Sequence, residues 1–458
     1  MTQLDAAARK DAAPVESKDD LTGYLASGCK PKADWRIGTE HEKFGFCRKS
    51  LTPLPYDGER SVRAILQGLS DEFGWAPVYE GDHLVALKKD GASVTLEPGG
   101  QFELSGAPLE HLHQTCNEVH SHLDQIRAVT DTVEVGFLGV GHTPNWTRAE
   151  MPHMPKGRYG IMRNYMPEVG NLGLDMMHRT ATVQVNLDFA DEADMVKKFR
   201  TSLALQPLAT ALFANSPMVE GKDTGFVSWR ANIWTDTDPN RTGLLDFVFE
   251  DGFDFERYTE YMLDVPMYFL FRNGDYVDAT GKSFRAFMDG KLDLAPGERP
   301  SLEDWTDHLS TAFPEVRLKT FLEMRGADSG SWSRICALPA FWVGLLYNSS
   351  CLDAAWDVAK NWTPEQRHAL RTDAAHYGLK ARIGKHSLQD IAKEVLAVSR
   401  EGLRDRAQLD TGGSDETGFL QPLQEIADSG LTMAERMLAD FEGPLGRDMH
   451  KLYEKYAF

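Results

Sequence analysis

Glu40 and Glu42 stand two residues apart in Ile37-Gly-Thr-Glu-His-Glu-Lys-Phe-Gly-Phe46. In the extended backbone that the flanking β-type residues favour, alternate side chains leave one face, about 7 Å apart. Like charges so close raise each other's proton affinity unless a cation lies between them, so the pair suits a divalent metal. An exposed edge strand is the alternative, since E-x-E is a common pattern. A second cluster, Leu96-Glu-Pro-Gly-Gly-Gln-Phe-Glu-Leu-Ser105, places Glu97 before a Pro-Gly-Gly kink and Gln101 and Glu103 on one strand face beyond it. Carboxylates drawn from two strands are the hard oxygen donors that Mg2+ takes when it bridges phosphates. The same residues can also be a hairpin turn with surface glutamates. Glu323 and Arg325 in Phe321-Leu-Glu-Met-Arg-Gly-Ala-Asp328 repeat the spacing with mixed charge. One group is fit for a metal and the other for a phosphate or carboxylate, with a solvated ion pair as the rival.

Other chemistries lack their motifs. No GxxxxGK[ST] loop occurs, and Lys156-Gly-Arg-Tyr-Gly160 lacks the glycine spacing of a dinucleotide loop, so nucleotide binding would rest on metals and basic side chains. There is no serine elbow, no HExxH and no EF-hand loop. The five cysteines (Cys29, Cys47, Cys116, Cys336, Cys351) show no CxxC or Cys/His spacing, which argues against a zinc site and a disulfide-dependent fold and makes buried free thiols the default.

The elements that must hold these groups can be traced along the chain. Residues 1–20 are Ala- and charge-rich without a sustained pattern and read as a flexible tail. Trp35 to about Leu104 alternates apolar and polar residues between turn signals, predicting strands interrupted by helices, and Leu109 to Val129 predicts a helix. Ala181 to Phe189 alternates strictly. Ala181, Val183, Val185, Leu187 and Phe189 share one face, and Thr182, Gln184, Asn186 and Asp188 share the other, which needs water, a ligand or a site to look into. Arg317 to Arg325 reads as another strand, with Glu323 and Arg325 on one face. Beyond residue 350 the pattern turns helical, with a capping box at Thr363-Pro-Glu-Gln366 and a packing stripe of Leu388, Ile391, Ala392, Val395 and Leu396. Asp410 to Gly418 is a loop.

A chain of 458 residues with 42% apolar and 26% charged residues can bury a large core. Lys and Arg number 49 against 69 Asp and Glu, a net charge of −20 that repels nucleic acid over most of the surface. The longest nearly apolar stretch, Ile335 to Tyr347, falls short of the roughly 20 residues that span a bilayer and reads as buried core. The acidic first residues contain no apolar h-region, so the expected location is the cytoplasm.

Taken together, these segments resemble the glutamate-cysteine ligases of plants and proteobacteria. The match runs from about residue 35 over nearly the whole chain. Its most specific stretches are IGTEHEKFGF (37 to 46), LEPGGQFELSG (96 to 106), MPKGRYGIMRNYMP (154 to 167), DMMHRTATVQVNLDF (175 to 189), ANSP (214 to 217), WTDTDPNRTG (234 to 243) and LEMRGAD (322 to 328) with CALPAFWVGLLY (336 to 347).

The resemblance implies an α+β fold with a glutamine-synthetase-like antiparallel sheet curled into a funnel and surrounded by helices. A catalytic core would span 21–350, with a helical C-terminal region over 351–458 packed on it. It implies ATP-dependent ligation of the glutamate γ-carboxylate to cysteine through γ-glutamyl phosphate, the first step of glutathione biosynthesis. Two or three Mg2+ ions would sit in a cage of Glu40, Glu42, Glu97, Glu103 and Glu323, with Gln184 facing the same cavity. Arg325 would meet the transferring phosphate, with Glu323 beside it. Arg179, Arg230 and Arg241 would meet substrate carboxylates or ATP phosphates, and Lys156 and Arg158 the nucleotide. Met177, Tyr261 and Trp332 would shape the cysteine pocket.

Partners would be glutamate, cysteine and ATP alone, with no nucleic acid or membrane, on a monomer or weak homodimer. Where plant members carry a cysteine pair tied to redox-controlled dimerisation, this chain has Ala279 and Leu294, so that switch is not expected. Cys116 and Cys336 fall where some plant members have another bridging pair. They should lie close in space, as free thiols in a reducing cytosol. Two other readings are a related carboxylate-amine ligase with a different amine acceptor, and a non-catalytic metal- or nucleotide-binding relative.

Overall fold

The computed structural model describes residues 13–458. Of the tail anticipated over 1–20, residues 1–12 lie outside the described residues. Val15 is already buried, and Ser17 starts helix α1 (Lys18–Ala26) with a capping box closed by Asp20.

A nine-stranded antiparallel sheet carries the site. Its strands are β1 (Ile37–Cys47), β2 (Ala76–Glu80), β3 (His83–Lys89), β4 (Ala92–Leu96), β5 (Gln101–Ser105), β6 (Val135–Leu138), β7 (Thr182–Leu187), β8 (Val316–Leu318) and β9 (Leu322–Asp328). They lie in the order β8-β9-β7-β1-β5-β4-β3-β2, with β6 paired to the far end of β1. The long β1 is thus the central plank, flanked by β7 and β5.

Register decides what the sheet presents. Glu42 lies opposite Glu103, Glu103 opposite Thr95, Glu40 opposite Gln184, and Asn186 opposite Glu323. Directly opposed residues share a face, so one side of the sheet is polar across five strands. The other side shows Ile37, Phe102, Leu104, Val183, Val185, Leu187 and Met324, all buried. Helices α2 (Leu112–Thr130), α5 (Glu192–Phe213) and α7 (Trp332–Leu346) cover that apolar side.

Smaller helices frame the polar side: α3 (Gly157–Val169), α4 (Gly173–Arg179) and α6 (Trp229–Ile233). The C-terminal region is helical and includes α8 (Pro364–Tyr377) and α9 (Leu388–Arg406). The capping box at Thr363 and Gln366 forms as the sequence predicts, with Pro364 in the first turn, and all five residues of the α9 stripe are buried. Helix α7 is buried from Arg334 to Leu346. Among the described residues no single helix is long and apolar enough to cross a membrane.

Two expectations change. Arg317 to Arg325 is not one strand but the hairpin β8/β9, turning at 319–321, so that Arg317 faces Glu323 across the ladder. No glycine or proline marks that turn. Cys116 and Cys336 are close, as expected, but they are joined in a disulfide rather than left as free thiols. Packing of α2 against α7 holds their Cα atoms 5.6 Å apart, inside bridging range although 220 residues separate them. Cys29, Cys47 and Cys351 are free.

Candidate active site

The polar side of the sheet opens into a cavity of about 220 Å3 lined by Glu40, Glu42, Glu97, Glu103, Gln184 and Arg325 among others. The four glutamates arrive from two segments. Glu40 and Glu42 alternate along β1, Glu103 points out of β5 beside Glu42, and Glu97 begins the turn from β4. That turn closes through Gly100 N–H to Glu97 O at 2.9 Å, with Gly100 at a φ of +81° that disfavours side chains. Gly99 presses on α4, where a Cβ would stand 2.2 Å from His178 O. Gln101 completes the clamp: its Oε1 accepts from Gly99 N–H, and its Nε2 donates to Met177 O and Thr180 O. The Pro-Gly-Gly kink is therefore a hairpin turn, and the carboxylates beside it face the cavity rather than bulk solvent.

Few protein donors meet these carboxylates. Asn186 Nδ2 donates to Glu40 Oε1 at 2.8 Å, Thr182 N–H to Glu42 Oε2 at 3.0 Å, and Thr95 Oγ1 to Glu103 Oε2. Burial together with Glu323 and Glu103 pushes Glu40 up to about 7. Burial and Glu97 push Glu103 up to about 7, and Glu42 is driven well above the usual carboxylate range by burial, Glu103 and Glu97. Crowded anions that hold protons this tightly are stabilised as carboxylates when a cation joins them. An all-oxygen donor set suits Mg2+. Among the described residues no three Asp, Glu, His or Cys side chains converge on one point. Glu40, Glu42, Glu97 and Glu103 are the carboxylates that could hold such ions, whose shells commonly keep several waters.

Glu323, expected as a metal ligand, is ion-paired with three basic side chains of the chain. It is fully buried, and burial alone would raise its pKa, but Arg317, Lys319 and Arg325 hold it well below the usual range. Its oxygens meet Arg317 at 2.7 Å, Lys319 at 3.3 Å and Arg325 at 2.6 Å, so they are committed to cations already. Arg325 also donates to Gln184 Oε1. The ladder between β9 and β7 shifts register between Met324 and Ala327, and this bulge frees Arg325 from the pairing so that it reaches over Gln184. Arg230 lines the cavity from α6: its Nη2 donates to Arg325 O at 2.9 Å, and its Nε finds no partner among the described residues.

Of the remaining candidates, Met177 and Arg158 line the cavity, with Met162 and Met176 beside them. Four do not. Arg241 is fully buried, bonded to Asp238, Thr311 O and Pro266 O, and stacked 3.7 Å from the Tyr268 ring. Arg179 is taken by Asp175 and Glu220. Tyr261 packs on Phe247, and Trp332 sits on the surface, 41% exposed, beside His120. Lys156 lies behind the wall and donates to Leu96 O at 2.8 Å, bracing the strand that leads into Glu97. Sequence reading missed Arg317, whose guanidinium lines the cavity while donating to Ser310 O and Ala312 O. Its role depends on the unmarked turn at 319–321, which brings it opposite Glu323.

Residues 36–453 match the model of a family described as glutamate-cysteine ligase family 2. Glutamate-cysteine ligase B, chloroplastic, of Oryza sativa subsp. japonica is 55% identical over 96% of this chain and 87% of its own length. Glutamate-cysteine ligase, chloroplastic, of Arabidopsis thaliana is 54% identical over 96% of this chain and 83% of its own length. A solved glutamate-cysteine ligase of Francisella tularensis, in complex with AMP, shares the fold with a TM-score of 0.54 at 13% identity, covering 93% of this chain and 90% of that one. The chloroplastic relatives overturn the cytoplasmic expectation drawn from the acidic first residues.

Proposed function

Because the chain belongs to the glutamate-cysteine ligase family 2, we infer that it joins the γ-carboxylate of glutamate to the amine of cysteine with ATP, giving γ-glutamylcysteine, ADP and phosphate. The observation that carries this reading is the meeting of four glutamates from β1 and the β4–β5 turn with Arg230 and Arg325 in one cavity. The cavity's lining residues run from Glu40 to Arg325.

Glu40, Glu42, Glu97 and Glu103 would hold the Mg2+ ions, two or three in number. Bound Mg2+ supplies charge neutralisation of the phosphates and of the phosphoryl group in transit. The chain's own residues do the rest. Arg325, fixed by Glu323 and Gln184, presents a guanidinium to the transferring phosphoryl group. Arg230 offers its guanidinium to a substrate carboxylate or phosphate from the cavity wall, and Arg158 meets the nucleotide from α3. Glu323 is a positioning residue for both Arg317 and Arg325.

In the first step a γ-carboxylate oxygen bonds to the γ-phosphorus of ATP as the bond to the ADP oxygen breaks. In the second, the cysteine nitrogen bonds to the γ-carbonyl carbon, the bond to phosphate breaks, and the nitrogen gives up one proton. Met162, Met176 and Met177 offer a soft apolar wall matched to a thiol-bearing side chain.

Incubation of the protein with ATP, Mg2+, glutamate and a panel of amino acids, read by ADP release and product mass, tests this. Cysteine should be the preferred acceptor. Indifference to cysteine alongside turnover with another amine would transfer the reading to a sister carboxylate-amine ligase.

A further inference from the structure

Ala214-Asn-Ser-Pro217 and Asp328 take no part in the reaction as derived above, yet both converge behind Arg230. Asp328 ends β9 and is 1% exposed. Its Oδ2 accepts from Asn215 N–H at 2.8 Å and from Ser216 Oγ at 2.6 Å, and its Oδ1 accepts from Ser228 Oγ at 2.8 Å. With their hydrogens given to the carboxylate, both serine oxygens are left as acceptors. Ser216 Oγ accepts from Arg230 N–H at 3.2 Å, and Ser228 Oγ accepts from Ala231 N–H at 3.1 Å as the cap of α6. We propose that Asp328 is a positioning residue that sets Arg230 in the cavity through Ser216 and Ser228.

Three further observations support it. Ser216 and Ser228 are bridged along their backbones, and Trp229 N–H donates to Ser216 O, so the two serines and the start of α6 form one braced unit. Space has been kept for the carboxylate: a Cβ on Gly141 would stand 2.3 Å from Asp328 Cγ. The unit holds the backbone of Arg230, whose side chain lines the cavity with Nη2 donating to Arg325 O. A cavity-lining side chain held at its root is prepared for an incoming anion.

An amide cannot replace this carboxylate. Asn at 328 offers one acceptor oxygen where donors arrive on both, so one serine must turn its hydrogen away and loosen the start of α6. The buried charge facing Arg230 is lost as well.

The inference rests on the reading of Arg230 as a substrate-holding group, and the experiment separates the two. Arg230→Lys identifies the substrate, glutamate or ATP, whose KM rises. Asp328→Asn should raise the KM of that same substrate about tenfold and leave the other within about twofold. In the double variant the loss should be no more than about twofold beyond Arg230→Lys alone, because both changes remove one function. Should Asp328→Asn fold poorly, Ser216→Ala and Ser228→Ala should give the same substrate-selective pattern with smaller size. The proposal is overturned if Asp328→Asn raises both KM values alike, if its effect multiplies with that of Arg230→Lys, or if Arg230→Lys moves neither KM. Calorimetric titration of glutamate and of ATP into the same four proteins reads the coupling without turnover. An inactive wild type would then reject the ligase reading while the coupling is still decided.

Discussion

The two faces of β1 carry opposite charges on alternate residues and treat them in opposite ways. Towards the cavity stand Glu40 and Glu42, among other carboxylates and few donors. Towards the helices stand Thr39, His41 and Lys43, all buried. Lys43 is pushed down to about 7 by burial, donates to Phe102 O and touches His122 Nε2 at 3.0 Å. His41 and His122 are held neutral by burial beside it. Neither ring nitrogen of His41 has a partner among the described residues. Both faces thus suppress charge, but the front one does so in a cavity that substrate and metal can enter. The rear one is sealed under α2, which the Cys116–Cys336 bridge ties to α7. Suppressed charge marks a working site only where something can arrive to restore it.

The sharpest way to break this comparison is Glu42→Gln. ADP release should fall by roughly 100- to 1,000-fold while the melting temperature holds or rises, because a like charge leaves the crowd. A loss of fold without a specific loss of turnover would place the front face with the rear. Glu103→Gln sharpens it through pH. Glu103 has its folded pKa raised to about 7, above the unfolded value near 4.3. Its stabilising contribution is therefore complete below that unfolded value and lost as pH rises through 7. In metal-free protein the stability of the wild type relative to Glu103→Gln should drop by a few kcal/mol across that window, measured by denaturant titration. Mg2+ should shrink the drop, and equal slopes with and without Mg2+ would argue against an ion at Glu103.

On the rear face the effects are structural. Cys336→Ser opens the bridge and should cost about 3 kcal/mol in denaturant unfolding. Lys43→Met removes a buried amine whose charge burial already suppresses. Stability should change by less than about 1.5 kcal/mol and turnover by less than about threefold. A collapse of activity would show that the rear amine acts through β1. Smallest of all, Trp332→Ala should leave the KM for cysteine within about twofold, since the ring lies outside the cavity.

What could be read from the chain follows the range of the forces involved. Alternation along β1 and β7 fixed which residues share a face, because side-chain direction in a strand is local. The cage glutamates on β1 and beside the β4–β5 turn were legible for that reason. The β8/β9 hairpin was not: its turn uses Lys319-Thr320-Phe321, and its register depends on Arg317 meeting Glu323. Nor could a sequence tell Arg230 from Arg241. Both are buried arginines in well-marked stretches, and they are separated only by the presence of Asp238 and Tyr268 around one of them. The 220-residue span of the disulfide lies beyond any local pattern.

The strand order has a consequence for synthesis. Ser329, just past β9, donates to Glu42 O across 287 residues of chain, and β9 reaches β1 only through β7. At roughly 5 to 20 residues per second, β1 leaves the ribosome about 15 to 60 s before the strand that completes its side of the sheet. During that interval Glu40 and Glu42 have no Arg325 nearby, and the rear face of β1 has no α7 over it. The nascent chain therefore carries an unfinished sheet edge for most of its translation, a long opening for chaperone engagement.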